Sequence, residues 1–175
     1  MISVVIPAFN EEGSIENTIK ELHNVLKKMK LSRFEIILID DGSTDNTKEI
    51  TKKLNIKVIS NPENIGYGFS LKRGITKAKF ETVWIIDADQ TYPIEELPRL
   101  YEEYLKGFDM VIGQRTGSFY IESPLKFFLR RILKFLVEFV ATKKIPDINS
   151  GIRIFNRDTI KVFFPHLSDT FSFTT

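Results

Sequence analysis

The stretch VWIIDADQTYP, residues Val83 to Pro93, carries the main evidence for the fold class. An apolar run typical of a buried strand leads directly into Asp87 and Asp89, and a turn-forming proline follows. Neither carboxylate can be buried at low cost unless a positive group meets it. The stretch therefore predicts a buried strand whose carboxyl end faces a cation or a ligand.

Similar apolar runs alternate with segments of helical period along the chain. The other strand candidates are ISVVIP, FEIILID, IKVIS and FDMVIG. Ser14 is a predicted N-cap, and the helix after it has apolar residues at spacings of three and four. These residues are Ile15, Ile19, Leu22, Leu26 and Met29. The alternation predicts an α/β domain with a mostly parallel sheet and helices on both faces.

Length and composition fit one compact domain over residues 1–175, because 42% hydrophobic residues suffice for a sizeable core. The formal net charge of +2 is too small to indicate a nucleic-acid partner. The absence of cysteine excludes a disulfide framework and thiolate metal sites. The first residues show neither a basic n-region nor a cleavable apolar stretch, so we expect a cytoplasmic protein.

Two more acidic segments follow strand candidates. PAFNEE follows the first strand, and DDGSTDNT follows the second, where Gly42 permits a tight turn and Asp45 is placed to cap the next helix. Each segment alone is also typical of ordinary turns. Three acidic ends on one edge of a parallel sheet, however, would repel one another unless a cation or ligand donors neutralised them.

The Asp87 and Asp89 pair suits a hard divalent cation. Residues at i and i+2 of a strand share a face, and a bend beyond Ala88 would bring both carboxylates to one Mg²⁺ or Mn²⁺. Two carboxylates are too few for a closed site, so water and diphosphate oxygens would complete the coordination. The pair therefore predicts a nucleoside diphosphate ligand and stabilisation of a leaving group.

The glycines Gly66, Gly68 and Gly74 do not have the spacing of a dinucleotide-binding fingerprint, so a dehydrogenase is not expected. We interpret them as the start of a helix that needs close backbone approach.

Residues 123–144 predict an amphipathic helix that starts at Ser123 and Pro124. Its apolar face consists of Leu125, Phe128, Leu129, Ile132, Phe135, Leu136, Phe139 and Val140. The opposite face carries Lys126, Arg130, Arg131 and Lys134. Charges interrupt the segment too often for a membrane span, which leaves two readings: a helix in the interface of an anionic bilayer, or a helix that covers the sheet.

Five blocks of the sequence stand in a distinctive order and spacing: VVIPAFNEE, LIDDGSTDNT, NPENIGYGFSLKRGITKA, IIDADQTYP and DINSGIRIFNR. In order and spacing they resemble family 2 glycosyltransferases, most closely the dolichol-phosphate mannose synthase and polyprenyl-phosphate glycosyltransferase branch. The resemblance implies a GT-A fold, a nucleotide-sugar donor, Mg²⁺ or Mn²⁺, a polyprenyl-phosphate acceptor and inversion at the anomeric carbon. Family members continue beyond the segment that matches Phe171 to Thr175, so we expect one GT-A catalytic domain, shortened at its C-terminal end.

The resemblance also implies roles for single residues in binding the donor. Residues expected around the base and ribose are Pro7, Phe9, Glu11 and Asp41, with Asn64 and Gly66 bordering the cleft. Asp87 is expected near the ribose or the metal, and Asp89 as a direct metal ligand. Phe9 stands where the family usually has a tyrosine. The phenylalanine keeps a ring face for stacking but lacks the phenolic hydroxyl and its hydrogen bond. Thr91 stands where many mannose synthases have a glutamine, which leaves the third metal ligand open.

For the acceptor, Arg115, Arg130 and Arg131 match family positions associated with phosphate binding. A phosphate acceptor needs no strong general base, whereas a sugar hydroxyl would need one, and Asp147 is then the best candidate. For Asp147 a turn before a strand is an equal alternative.

A polyprenyl acceptor favours the bilayer reading of residues 123–144 and a peripheral location on the cytoplasmic face of the membrane. A catalytically inactive nucleotide-binding or membrane-interaction module with the same fold is the alternative from another functional class. The three aspartates Asp41, Asp87 and Asp89 favour the enzyme.

Overall fold

A six-stranded sheet is the framework of the computed structural model, which describes residues 1–114, 131, 132, 135, 137–139, 147, 150–170 and 173. The strands are β1 (Ile2–Ala8), β2 (Phe34–Asp40), β3 (Lys57–Ser60), β4 (Thr82–Ile85), β5 (Met110–Ile112) and β6 (Arg153–Asn156). Their order is β3-β2-β1-β4-β6-β5. The first four are parallel, and β6 runs antiparallel to both of its neighbours. The predicted mostly parallel sheet is confirmed.

Helices cover both faces of the sheet, as the pattern predicts. They are α1 (Ile15–Lys28), α2 (Thr47–Thr51), α3 (Tyr67–Lys77), α4 (Leu97–Tyr104) and α5 (Arg157–Phe163), with 3-10 turns at Ile94–Glu96 and Phe164–His166. One apolar cluster packs α1 and α4 on one face, and a second packs α3 and α5 on the other. Because both faces are covered, every residue of β1 is buried.

The first helix buries its predicted stripe. The four apolar positions from Ile15 to Leu26 are at most 1% exposed, and Met29 packs at the margin of the same cluster. Full burial of a side chain of this size contributes about 1.5–3 kcal/mol. Ser14 occupies the predicted N-cap position, but its hydroxyl donates to the Glu11 carboxylate at 2.6 Å instead of capping the helix.

The third helix lies unusually close to the sheet because Gly74 faces it. A methyl group at this position would overlap Val5 Cγ1 and approach Ile39 Cγ1 at 3.2 Å. The close backbone approach that we predict for the α3 glycines is therefore confirmed at Gly74.

The strand order reverses between β1 and β4. From β1 the chain winds outward through β2 to β3, and β4 then pairs with the other side of β1. In open α/β sheets, the crevice beyond the carboxyl ends of the strands at such a switch point is the usual ligand site. The candidate site is built at this crevice.

Candidate active site

The three acidic strand ends meet at the switch point, because β2, β1 and β4 are neighbours and run parallel. Asp40, at the end of β2, pairs with Ala8 at the end of β1. Asp41 continues the ladder by donating its N–H to the Ala8 carbonyl at 2.8 Å. On the other side, Ile86 donates to the Val5 carbonyl at 3.2 Å, which brings Asp87 to the same edge. The predicted convergence of these strand ends is confirmed.

The loops after β1 and β2 are joined by side-chain hydrogen bonds. Asn10 Oδ1 accepts from the backbone N–H of Thr44 at 2.8 Å, and Glu12 Oε2 accepts from that of Asn46 at 3.0 Å. Asn10 has a φ of 56°, in the left-handed region that asparagine tolerates better than most residues. The two acidic loops therefore form one connected wall of the crevice.

Asp45 belongs to the same wall. Its Oδ2 accepts from the N–H of Glu12 at 3.1 Å, and its Oδ1 accepts from the N–H of Thr47, the first residue of α2, at 2.9 Å. Asp45 was predicted to cap this helix, but Asn46 occupies the N-cap position, and Asp45 instead accepts from the N–H of the first helical residue. Partial desolvation acts to raise the pKa of Asp45. The hydrogen bonds from Thr47 and Glu12 outweigh this effect, so the pKa of Asp45 is lowered.

Three of the predicted base and ribose residues lie at the end of β1. Pro7 is buried and pairs with Ile39, so it shapes the end of the strand. Phe9 is 42% exposed and offers its ring to the solvent, as stacking on a ligand would require. The Glu11 carboxylate accepts from Ser14, which fixes its position. Their contacts with a nucleotide stay predictions.

Asp41 is buried, 4% exposed, and its carboxylate accepts three hydrogen bonds from the loop before α3. Oδ1 accepts from Asn61 Nδ2 at 2.6 Å and from the N–H of Ile65 at 3.1 Å. Oδ2 accepts from the N–H of Gly66 at 2.9 Å. A carboxylate offers about four acceptor positions. Asp41 therefore organises the loop and keeps capacity for one further donor, such as an N–H of a base.

The loop that Asp41 holds contains Asn64 and Gly66, the predicted border of the donor cleft. Asn64 is exposed, and Gly66 has a φ of 121°, which a residue with a side chain adopts only under strain. A methyl group on Gly66 would also lie 2.6 Å from the Asp169 carbonyl. The close approach predicted for this glycine is confirmed, whereas its contact with a donor stays a prediction.

Asp87 is half-buried and accepts a hydrogen bond from the hydroxyl of Tyr67, the first residue of α3, at 2.7 Å. A methyl group on Gly151 would overlap Asp87 Oδ2, so the carboxylate packs directly on the backbone of Gly151. Burial and the nearby charge of Asp87 raise the pKa of Tyr67 above its usual range. The tyrosine therefore stays protonated and remains a donor to Asp87.

Asp89 is exposed and lies in a tight turn. Its Oδ1 accepts from the backbone N–H of Thr91 at 3.0 Å and from the Thr91 hydroxyl at 2.7 Å. Gln90, between them, has a φ of 60°. Among the described residues, no group donates to Asp89 Oδ2. Within the described part of the chain this oxygen is available at the crevice, and Thr91 orients the carboxylate.

These residues fit a divalent cation that a ligand helps to coordinate. Within the described part of the chain, no group of three or more histidine, cysteine or acidic side chains could hold a metal by itself. Asp89 Oδ2 accepts no hydrogen bond from the described residues, and Asp87 lies two residues before Asp89, which suits the two-carboxylate arrangement expected for Mg²⁺ or Mn²⁺ with diphosphate oxygens. The donor set thus suits a cation that arrives with the nucleotide.

Arg153 is the main site residue that our sequence reasoning missed. It lies in β6 beside β4, paired with Ile85, and is half-buried. Its Nε donates to the Ser150 carbonyl at 3.0 Å. Desolvation lowers the pKa of Arg153, while the nearby groups, including Asp147 and Asp87, oppose the shift. An arginine inside the apolar run GIRIF is the signal that could have identified it, since such a charge needs partners.

Asp147 is half-buried and close enough to Arg153 for an electrostatic interaction. Tyr92 lies on the same side, and its hydroxyl accepts from the N–H of Gly151 at 2.5 Å. The segment before β6 therefore closes over the end of β4. A role of Asp147 as a general base stays a prediction.

The predicted acceptor side is described only in part. Arg115 and Arg130 lie outside the described residues, as do Ser123 and Pro124. Arg131 is helical and exposed. Three described positions of the predicted apolar face are also exposed: Ile132 by 42%, Phe135 by 67% and Phe139 by 73%. At these three positions the segment does not cover the sheet.

Phe135 and Phe139 stack with ring centroids 6.3 Å apart. Among the helices that the structure describes, none combines the length and the apolar character needed to cross a bilayer.

The sheet order and the acidic crevice at its switch point define the GT-A class of glycosyltransferase folds. The family model of "Glycosyl transferase family 2" matches residues 3–164, so the chain belongs to this family. The resemblance noted in the sequence is thereby confirmed.

The relatives include enzymes of lipid-linked sugar transfer. The chain is 30% identical over 186 residues to a dolichyl-phosphate beta-glucosyltransferase of Dictyostelium discoideum, which covers 95% of the chain and 57% of the relative. It is 30% identical over 157 residues to the dolichol-phosphate mannosyltransferase of Pyrococcus furiosus, with 86% of the chain and 44% of the relative covered. The chain thus spans about half the length of the curated relatives it matches.

Among solved structures, glucosyl-3-phosphoglycerate synthase from Mycobacterium tuberculosis in complex with Mn²⁺, UDP-glucose and phosphoglyceric acid aligns with a TM-score of 0.66 and 26% identity. The alignment covers 90% of this chain and 57% of that one. Mannosyl-3-phosphoglycerate synthase from Rubrobacter xylanophilus aligns with a TM-score of 0.73 at 18% identity, over 91% of this chain and 54% of that one, and supports the fold alone.

Proposed function

We propose that the chain contains the donor-binding catalytic domain of an enzyme that moves a sugar from a nucleoside diphosphate to a polyprenyl phosphate. The observation that carries the donor half is Asp89, an exposed carboxylate at the switch point whose Oδ2 accepts no hydrogen bond from the described residues, together with the buried Asp41 and the half-buried Asp87. The acceptor half rests on the relatives that are named as dolichyl-phosphate transferases.

In this proposal different residues of the chain bind the base, the diphosphate end of the donor and the acceptor phosphate. Phe9 and Asp41 hold the base, and Asp87 and Asp89 direct their carboxylates to the diphosphate end of the donor. A bound Mg²⁺ or Mn²⁺ would offset the charge that develops on the departing nucleoside diphosphate. The arginines Arg115, Arg130 and Arg131 would bind the acceptor phosphate through guanidinium forks.

Inversion follows from the direction of attack. An oxygen of the acceptor phosphate attacks the anomeric carbon from the side opposite the diphosphate, and the bond from that carbon to the diphosphate oxygen breaks. The phosphate is already ionised near neutral pH, so no side chain needs to remove a proton. An acceptor with a free hydroxyl would need a base, and Asp147 would supply it.

The same fold supports a second candidate, transfer to a small phosphorylated acid, because the Mycobacterium tuberculosis neighbour was solved with phosphoglyceric acid. The exposed Phe135 and Phe139 favour the lipid acceptor, since a soluble acceptor gives no reason for large apolar residues at the surface. In this proposal the protein lies peripherally on the cytoplasmic face of an anionic membrane, with these rings in contact with the lipid.

Calorimetric titration with UDP and GDP, in chelator and in Mn²⁺, tests the donor half. We expect Mn²⁺ to strengthen binding markedly, and Asp89→Ala to remove most of this gain because the exposed carboxylate is lost. Asp109→Ala is the matched control, since Asp109 is exposed and precedes β5, which places it at the opposite edge of the sheet. Equal affinity of the unmodified protein in chelator and Mn²⁺ would refute the assignment.

Incubation with radiolabelled nucleotide sugars tests the acceptor half. Label that enters the organic phase with dolichyl phosphate supports the lipid acceptor, whereas label transferred only to phosphoglycerate supports the second candidate. Nucleotide binding without transfer to either would favour the inactive module.

A further inference from the structure

We propose that Tyr67 is a positioning residue of the donor site, and that it acts by holding the Asp87 carboxylate in one orientation. The inference deepens the proposed function and rests on it, because it concerns how the chain presents Asp87 to the donor and its cation.

The first argument is the contact itself. Tyr67 begins α3 on one face of the sheet, and its hydroxyl reaches the end of β4 to donate to Asp87 Oδ1 at 2.7 Å. A hydrogen bond to a charged acceptor is among the stronger ones in proteins. The bond restricts the side-chain torsions of Asp87 at the edge of the crevice.

The second argument is that the other carboxylate oxygen is confined as well. Asp87 Oδ2 packs on the backbone of Gly151, where even a methyl group would not fit. Gly151 is itself held, because its N–H donates to the Tyr92 hydroxyl at 2.5 Å. Two tyrosines on different elements therefore fix the carboxylate from two sides, one directly and one through the backbone.

The third argument is the charge nearby. Arg153 lies close enough to Asp87, Tyr67 and Tyr92 for each of them to affect its pKa. Arg153 in β6 pairs with Ile85, two residues before Asp87, so a cationic side chain stands beside this end of β4. The carboxylate is thus oriented before any ligand arrives.

Fixing a side chain in advance strengthens binding, because the ordering cost is met on folding instead of on binding. Loss of the Tyr67 hydroxyl should therefore weaken the cation-dependent part of nucleotide binding about three- to tenfold, the range that corresponds to one ordered side chain. The alternative role of the bond between Tyr67 and Asp87 is to anchor α3 on β4. That role would lower stability and weaken binding equally with and without the cation.

The test is Tyr67→Phe, with Tyr101→Phe as the matched control. Tyr101 packs edge-on against Trp84 at 6.1 Å, in the cluster on the opposite face of the sheet. Affinities for UDP and GDP are measured by calorimetry in chelator and in Mn²⁺, after circular dichroism has established that the variants are folded. We expect Tyr67→Phe to reduce the gain from Mn²⁺ about three- to tenfold with little change in chelator, and Tyr101→Phe to change neither.

A double-mutant cycle with Asp87→Asn adds an independent readout. If Tyr67 acts through Asp87, Tyr67→Phe causes no further loss of affinity in the Asp87→Asn background. Gly151→Ala perturbs the same carboxylate from its other side and should reduce the same gain, should Tyr67→Phe fail to fold.

The outcomes separate this inference from the function on which it rests. An undiminished Mn²⁺ gain in Tyr67→Phe, an equal loss in chelator and Mn²⁺, or additive losses in the cycle would each overturn the positioning role alone. No Mn²⁺ gain in the unmodified protein would overturn the donor-site proposal and this inference together.

Discussion

At the scale of single residues, Asp41 has a structural task that its sequence context does not reveal. The motif predicts a carboxylate that faces the base, but the structure shows three hydrogen bonds from the chain itself, donated by Asn61, Ile65 and Gly66. These donors lie twenty or more positions further along the chain. The side chain proposed to bind the base therefore also holds the loop before α3.

Asp41→Asn should consequently destabilise the protein as well as weaken nucleotide binding. The new amide replaces one acceptor oxygen by an NH₂ group, so at least one of the three N–H donors loses its partner, at a cost of about 1–3 kcal/mol in the free energy of unfolding. Urea denaturation followed by the fluorescence of Trp84, the sole tryptophan, measures the effect. Asp109→Asn, at an exposed position, serves as the control, and an unchanged free energy for Asp41→Asn would show that the loop tolerates the amide.

Residue types and short spacings account for what the sequence could predict of the site. Asp87 and Asp89 stand out because polar residues directly after an apolar strand are visible in the sequence. Tyr67 and Arg153 do not stand out in the sequence, because their roles depend on Asp87. Asp87 is 20 residues from Tyr67 in the sequence, and it follows β4, the strand that pairs with the β6 strand of Arg153. Such contacts arise only when the chain has folded.

At the scale of secondary-structure elements, the start of α3 links the ends of β2 and β4 across β1. Its entering loop donates to Asp41, and its first residue donates to Asp87. Residues 167–170 pack against the start of α3. The Asp169 carbonyl accepts from the N–H of Phe69 at 2.9 Å, and Lys72 donates to the Leu167 carbonyl at 2.6 Å. The donor crevice therefore depends on a segment that follows α5.

Gly68 makes this contact possible, and Gly68→Ala should break it. Alanine usually stabilises a helix by up to about 1 kcal/mol relative to glycine. Here its methyl group would overlap the Ser168 carbonyl and come within 2.9 Å of the Thr170 carbonyl, so we expect lower stability, by about 1–3 kcal/mol. Gly13→Ala is the control, because no atom lies within 4 Å of a methyl group there. A rise in the melting temperature of Gly68→Ala would contradict the tight contact.

The strands show which parts of the sheet a local sequence pattern predicts and which it does not. Five runs were predicted as strands because they are apolar at successive positions, as parallel strands with two covered faces must be. β6 was not identified, since its four residues include Arg153 and Asn156, and only Ile154 and Phe155 face the two clusters. Its antiparallel direction follows from long-range pairing with β4, which no local pattern encodes.

At the scale of the whole molecule, the sheet places the proposed donor crevice at one edge, and the side chains of Ile132, Phe135 and Phe139 lie exposed on the surface. Ile132, Phe135 and Phe139 are on the predicted apolar face, and Arg131 adds a positive charge beside them. Exposed aromatic residues with neighbouring cations suit the interface of an anionic bilayer, where rings enter the acyl boundary and cations meet head groups. A lipid acceptor would be presented at such a surface.

Sedimentation with vesicles of graded charge tests this arrangement. We expect binding that rises with the fraction of anionic lipid and falls as salt increases, because salt screens the attraction of basic side chains to head groups. The double variant Phe135→Ser/Phe139→Ser should weaken vesicle binding about tenfold or more, since two rings no longer leave water. Its melting temperature should change little, because both rings are already exposed in the folded protein.

The double variant Val162→Ser/Phe163→Ser is the matched control for this experiment. These residues of α5 are also exposed, by 72% and 51%, but they lie outside residues 123–144. A membrane surface formed by residues 123–144 predicts that this control binds vesicles like the unmodified protein. Equal losses in both variants would indicate unspecific adhesion of apolar residues. A strong fall in the melting temperature of Phe135→Ser/Phe139→Ser, together with absent vesicle binding at low salt, would return the segment to the core and remove the structural support for a polyprenyl acceptor.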